Sequence, residues 1–215
     1  MIKKSSYGIN FVIYKCVGKA EACDSAVKRI LKAHPTDDYR DIINEWTDKE
    51  INGVKSCMGS QNPHLLKFYN IYEDEKYYYI HHEPIDGTLG DLMKLELSEE
   101  EIMDIGYKLA MSMKALRELN FIHHELRPEK IYFKNTKAGR MIKIGDLAVN
   151  DFVGFNFSVP FVVNYFPLEY DTFTEEKKED ERYDCYDIWA FGVIMHQLFF
   201  KEVIFFVENG KTNYI

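Results

Sequence analysis

No basic excess, no cysteine pair at metal-binding spacing and no long apolar run occurs in this 215-residue chain, and each absence removes a class of function. Lys and Arg number 27 against 35 Asp and Glu, leaving a net charge of −8. No surplus of cations stands ready to neutralise phosphates, so a nucleic-acid partner is not expected. The same charge suits a basic protein partner. The cysteines, Cys16, Cys23, Cys57 and Cys185, form no C-x-x-C pair, which argues against zinc and dithiol redox sites and for reduced thiols in the cytoplasm. No segment approaches the ~20 apolar residues of a membrane span. Lys3-Lys4 followed by Ser5-Ser6-Tyr7 does not open a secretory signal. The expectation is a soluble cytoplasmic protein with no membrane partner.

What is present is ordinary globular material, with apolar residues at 46% and charged residues at 29%. Residues 9–17 and 25–30 are rich in β-branched and aromatic side chains and read as strands. From 37 to 58, Ile42, Ile43, Trp46, Ile51 and Val54 recur at helical spacing, behind Thr36 as N-cap. Residues 65–72 and 77–82 read as two more strands around the acidic turn Glu73-Asp74-Glu75. After Asp86-Gly87 the pattern turns helical. Ser98 followed by Glu99–Glu101 starts a helix whose apolar face holds Ile102, Ile105, Leu109, Met113 and Leu116. Two short strands flank Ala138-Gly139, and residues 177–182 read as a solvated charged loop. A last helix from Tyr186 is apolar nearly all round, which predicts burial on every side. Segregated strands and helices point to an α+β fold or two lobes.

Four short patterns then occur in order. They are Ala26-Val27-Lys28, His123-His124-Glu125-Leu126-Arg127-Pro128-Glu129-Lys130, Asp146-Leu147-Ala148 after Ile142-Lys143-Ile144-Gly145, and Asp187-Ile188-Trp189-Ala190-Phe191-Gly192-Val193. Together they resemble the signature set of the eukaryotic protein kinases: V-A-I-K, H-R-D-L-K-P-E-N, D-F-G and the buried helix of the large lobe. The resemblance implies a two-lobed α+β fold. Residues 1–86 would form a small antiparallel-sheet lobe with one main helix, and 87–215 a helical large lobe. Because the chain stops at Ile215, soon after the Trp189 helix, the helices that finish the large lobe are expected to be absent. That would leave an apolar surface for a partner.

The resemblance assigns roles residue by residue. Lys28 would hold nucleotide phosphates and pair with a helix carboxylate, Glu50 or alternatively Glu45. Asp146 would ligate Mg²⁺. In the hinge, the Glu83 carbonyl and the Ile85 N–H would meet an adenine edge, with His82 a packed histidine at the gatekeeper position. The glycine-rich loop is degraded: Ser6, Gly8 and Phe11 stand at its three glycine positions, so only Gly8 remains to let backbone approach phosphate. Glu125 stands where the family has its aspartate base and reaches one methylene further. Arg127 keeps a cation near the transferred phosphate. His124 replaces the arginine that clamps an activation-loop phosphate, and Pro167-Leu168-Glu169 replaces A-P-E. Ser158 and Tyr165 are candidate phosphosites. Lys130 occupies the position of the asparagine that ligates a second Mg²⁺, and an ammonium cannot ligate a metal.

These departures predict a pseudokinase, a nucleotide-binding or protein-binding regulatory module. ATP would bind weakly, Mg²⁺ through one ligand, and the partner would be an active kinase or a second copy. The alternative is a weakly active ATP-dependent Ser/Thr-type kinase using Glu125 as base. A kinase-like fragment with no role of its own is the third reading.

Overall fold

Alternation of apolar and polar residues produces an antiparallel sheet whose inner face carries Ala26, Lys28 and Ile30, all buried. The computed structural model describes residues 3–4, 11–15, 25–32, 40–123, 125–147, 165, 185–202, 205–208 and 211–214. Gly8, Thr36, His124, Ala148, Ser158, residues 167–169 and the charged segment 177–182 lie outside the described residues, as do the side chains of Phe11, Glu45 and Trp46.

Five strands make the first sheet: β1 (Lys3–Lys4), β2 (Phe11–Lys15), β3 (Ala26–Leu31), β4 (Phe68–Glu73) and β5 (Tyr77–His82). Their order is β1-β2-β3-β5-β4, with every neighbouring pair antiparallel. The β4–β5 turn closes because Asp74 Oδ1 accepts the N–H groups of Lys76 and Tyr77, while Oδ2 accepts the Tyr79 hydroxyl. Helix α1 (Arg40–Cys57) crosses between β3 and β4. Its buried stripe, Thr47, Glu50, Ile51 and Val54, follows helical spacing and brings a carboxylate to the inner side of the sheet.

The second half begins with β6 (Gly87–Thr88) and a one-turn helix α2 (Leu89–Leu92). Helix α3 (Glu99–Arg117) starts at the expected capping box: Ser98 Oγ accepts the Glu101 N–H, and the Glu101 carboxylate accepts the Ser98 N–H. A 3₁₀ turn (Pro128–Lys130) leads into β7 (Ile131–Thr136) and β8 (Gly139–Ile144), which complete a three-stranded sheet with β6. Helix α4 (Cys185–Phe200) follows, then a hairpin of β9 (Phe205–Glu208) and β10 (Lys211–Tyr214) that the sequence reading did not anticipate.

One apolar cluster runs through both halves, joining Ile30 and Ile80 of the sheet, Val54 of α1, Ile105 and Leu109 of α3, Ile144 of β8 and Ile194 of α4. Ser112 Oγ on α3 lies within hydrogen-bond reach of the carbonyls of His64 (2.9 Å) and Ile142 (3.1 Å), sharing its one proton between them and fixing α3 against β8. The expectation for the last helix is corrected. Ala190, Val193, Ile194 and Leu198 are buried, but Ile188 and Phe200 are 65% and 64% exposed. Apolar composition alone cannot tell a helix buried all round from one with an uncovered apolar face. Among the described residues, no helix is long and apolar enough to cross a membrane.

Candidate functional site

Lys28 lies on the buried face of β3, and its ammonium meets two carboxylates, Glu50 of α1 and Asp146 after β8. Glu50 is thereby the helix partner. Two local features accompany this geometry. Gly53, one turn beyond Glu50, sits so near the Leu147 carbonyl oxygen that a Cβ there would lie 2.6 Å from it. Asp146 adopts φ 57°, a left-handed conformation that aspartate tolerates better than most residues.

The segment 123–130 closes the other side. Pro128 at the first position of the 3₁₀ turn suits a residue without an N–H. The Lys130 N–H donates to the Arg127 carbonyl (2.9 Å), and the Lys130 carbonyl accepts the Gly145 N–H (2.8 Å). Lys130 is buried, and its ammonium pairs with Oε2 of the buried Glu125. Arg127 Nε lies 3.3 Å from Oε1 of the same carboxylate.

His123 ties these pieces together. Its N–H donates to Asp187 Oδ2 of α4 (2.8 Å), its Nδ1 accepts the Glu125 N–H (3.3 Å), and its Nε2–H donates to the Gly145 carbonyl (3.1 Å). Those partners select a neutral ring protonated at Nε2. Burial, reinforced by the nearby Lys130 ammonium, depresses its pKa accordingly.

Six charged groups thus lie close together: three cations (Lys28, Arg127, Lys130) and three carboxylates (Glu50, Glu125, Asp146). Burial pushes the Asp146 carboxyl up, but Lys28 and then Lys130 outweigh it and hold the group near a pKa of about 2. Burial likewise opposes ionisation of Glu125, and Lys130 with Arg127 overcomes it, leaving its pKa depressed. Lys28 is raised despite burial, because Asp146 and Glu50 both favour its charge. Glu50 comes out raised, since burial is the larger effect and it shares its one ammonium with Asp146.

This donor set does not fit a pair of divalent cations. The Lys130 ammonium repels a metal at the point where a neutral oxygen would be needed. Among the described residues, no group of three or more His, Cys, Asp and Glu side chains is placed to hold a metal ion.

At the hinge, the Glu83 carbonyl accepts a hydrogen bond from His82 Nδ1 at 2.7 Å. Among the described residues the Ile85 N–H has no acceptor. The Glu83 side chain turns away to the Lys143 ammonium and the Lys67 N–H. His82 is buried, and burial depresses its pKa to about 4, so it is a neutral packed histidine. Gly8, the last glycine of the expected phosphate loop, lies outside the described residues.

Three features escaped the sequence reading: the Lys130–Glu125 pair, the Lys143–Glu83 pair, and Tyr132. The spacing of five residues between Glu125 and Lys130 was visible, but the fold of the loop that joins them was not. Tyr132 is buried two residues after Lys130, with its hydroxyl 3.5 Å from Asp146 Oδ1.

Comparison with known proteins identifies the family and the fold. Residues 7–215 match the protein kinase domain family, and the chain belongs to that family. A calcium/calmodulin-dependent serine/threonine-protein kinase of Malus domestica is 26% identical over 177 residues, covering 79% of this chain and 41% of the relative. A crystal structure of Rad53 (residues 1–466) in complex with AMP-PNP superposes with a TM-score of 0.64 at 18% identity, covering 95% of this chain and 48% of that one. The chain therefore spans less than half the length of either protein. The second likeness establishes the shared fold: an antiparallel-sheet small lobe joined to a helical large-lobe portion.

Proposed function

We propose that this protein-kinase-family domain acts as a pseudokinase, a regulatory binding module in which phosphoryl transfer is lost. The observation that carries the reading is the Lys130–Glu125 pair. One residue removes a metal ligand, supplies a positive charge in its place and ties up the carboxylate at the base position. The division into lobes at 86/87 belongs to the same proposal.

The alternative reading, with Glu125 as a working base, finds less support. A carboxylate with a depressed pKa, held by an ammonium and a guanidinium, is a weak proton acceptor. Nucleotide binding in this proposal is weak and insensitive to Mg²⁺. A protein partner, an active kinase or a second copy, is favoured by the exposed Ile188, Phe199 and Phe200 of α4. A groove of about 420 Å³ also opens between α3 and α4, lined by Met113, Phe121, Ile122, Ile188 and Phe191.

The test is transfer from radiolabelled ATP, with Mg²⁺ or Mn²⁺, to the protein itself and to a generic acceptor. Transfer indistinguishable from the Glu125→Ala background is expected. Robust transfer abolished by Glu125→Ala would overturn the reading.

A further inference from the structure

Tyr132 occupies the space between the hinge and Asp146. Its ring stacks on His82 at the end of β5, with centroids 6.4 Å apart and planes 15° from parallel. Its hydroxyl reaches Asp146 Oδ1. Along the way the ring edge lies where a side chain on Gly145 would be, since a Cβ there would sit 2.1 Å from Tyr132 Cε2. The fit is reciprocal: Gly145 has no side chain, and the tyrosine ring takes the volume that one would have filled. One residue thus spans from the hinge strand to the carboxylate that Lys28 holds. A planar base meeting the Glu83 carbonyl and the Ile85 N–H, with its phosphates directed at Lys28, would have to enter the same span.

We propose that Tyr132 is a specificity-determining residue that occupies the base-binding end of the cleft and keeps adenine nucleotides out until its ring turns away. The inference rests on the kinase-type reading of the cleft and deepens it by naming what limits nucleotide affinity. The stack on His82 and the close approach of the Gly145 backbone hold the ring in place, while the hydroxyl lies 3.5 Å from Asp146 Oδ1, at the outer limit of a hydrogen bond. An open state populated at about 0.1–10% weakens apparent affinity by the reciprocal of that fraction, roughly 10–1,000-fold.

The experiment is calorimetric titration of ATP, in EDTA so that metal ligation plays no part, into the unaltered chain, Tyr132→Leu and Tyr132→Phe, with circular dichroism confirming the fold of each. The unaltered chain and Tyr132→Phe, which both keep the ring, should bind no more tightly than about 1 mM, and Tyr132→Leu at least about tenfold more tightly. Should Tyr132→Leu fail to fold, Tyr132→Met keeps most of the buried volume and is read the same way. Equal affinity for the unaltered chain and the leucine variant would overturn the proposal. So would binding kept by phenylalanine and lost by leucine, because the ring would then be a stacking platform. Micromolar binding by the unaltered chain overturns it whatever the variants do. No phosphate transfer is measured, so failure here leaves the regulatory reading standing, and transfer in the radiolabel assay would overturn that reading without deciding this one.

Discussion

Replacing Lys130 by asparagine puts back the neutral amide that the kinase signature carries, and the structure says what this does to stability before any catalysis is considered. Lys130 and Glu125 are both buried, and the variant leaves the Glu125 carboxylate with Arg127 at 3.3 Å as its remaining cationic contact of the two. Breaking a buried pair by removing one partner costs about 3–5 kcal/mol, and the surviving guanidinium points to the lower end. For a chain of 215 residues, ~3 kcal/mol corresponds to a melting temperature lower by about 6–12 °C. Glu125→Gln alone should destabilise comparably, by stranding the ammonium. The double variant Lys130→Asn/Glu125→Gln should recover most of the loss, because two neutral amides replace two charges. The single variant also removes the ammonium that would repel a cation there, so Mg²⁺ should raise its melting temperature and leave that of the unaltered protein unchanged. The assay is a thermal melt of all four proteins with and without Mg²⁺. Additive losses in the double variant, or a Lys130→Asn melt within about 1 °C of the parent, would refute the view that these two residues form one buried unit.

Acid should destabilise the fold in two stages. His82 and His123 both have pKa values below the ordinary 6.5, so the unfolded chain takes up protons first and stability falls as pH drops from 6.5 towards the His82 value of about 4. The His82 part amounts to at most about 3 kcal/mol, and His82→Leu should flatten that portion of a melting-temperature profile. Below pH 4 the depressed carboxylate of Asp146 adds a further loss that completes near its pKa of about 2. Gly145→Ala should destabilise by about 3 kcal/mol or more through collision with the Tyr132 ring. Tyr132→Leu in the same chain should rescue it, as a chemical-denaturation cycle would show.

Much of the fold was readable without coordinates because local chemistry set it. The Ser98/Glu101 box placed the start of α3, and the resemblance of Ala26-Val27-Lys28 to a kinase strand marked Lys28 as the cation of the site. Motif order narrowed its helix partner to Glu50 or Glu45, and the structure seats Glu50 there. What sequence could not carry was side-chain direction across long separations. Lys130 was legible as a lost metal ligand but not as the cation that holds Glu125, since that depends on how a 3₁₀ turn folds back. Tyr132 passed as one more aromatic in a strand, because only the approach of β7 to Gly145 and His82 gives it a role. The apolar run of α4 was over-read as wholly interior, because hydrophobicity reports preference for burial and leaves open which side finds a neighbour.

The burial of the Lys28 and Lys130 ion pairs has a consequence for how the protein responds to its surroundings. Dissolved ions screen charges that face water, over a Debye length of about 8 Å at physiological ionic strength, and act far less on pairs sealed from it. The surface contact of Lys32 with Glu73, at 2.7 Å and half open to solvent, is of the first kind. The cluster around Lys28 and Lys130 is of the second, so it holds its arrangement in dilute buffer and in concentrated brine alike.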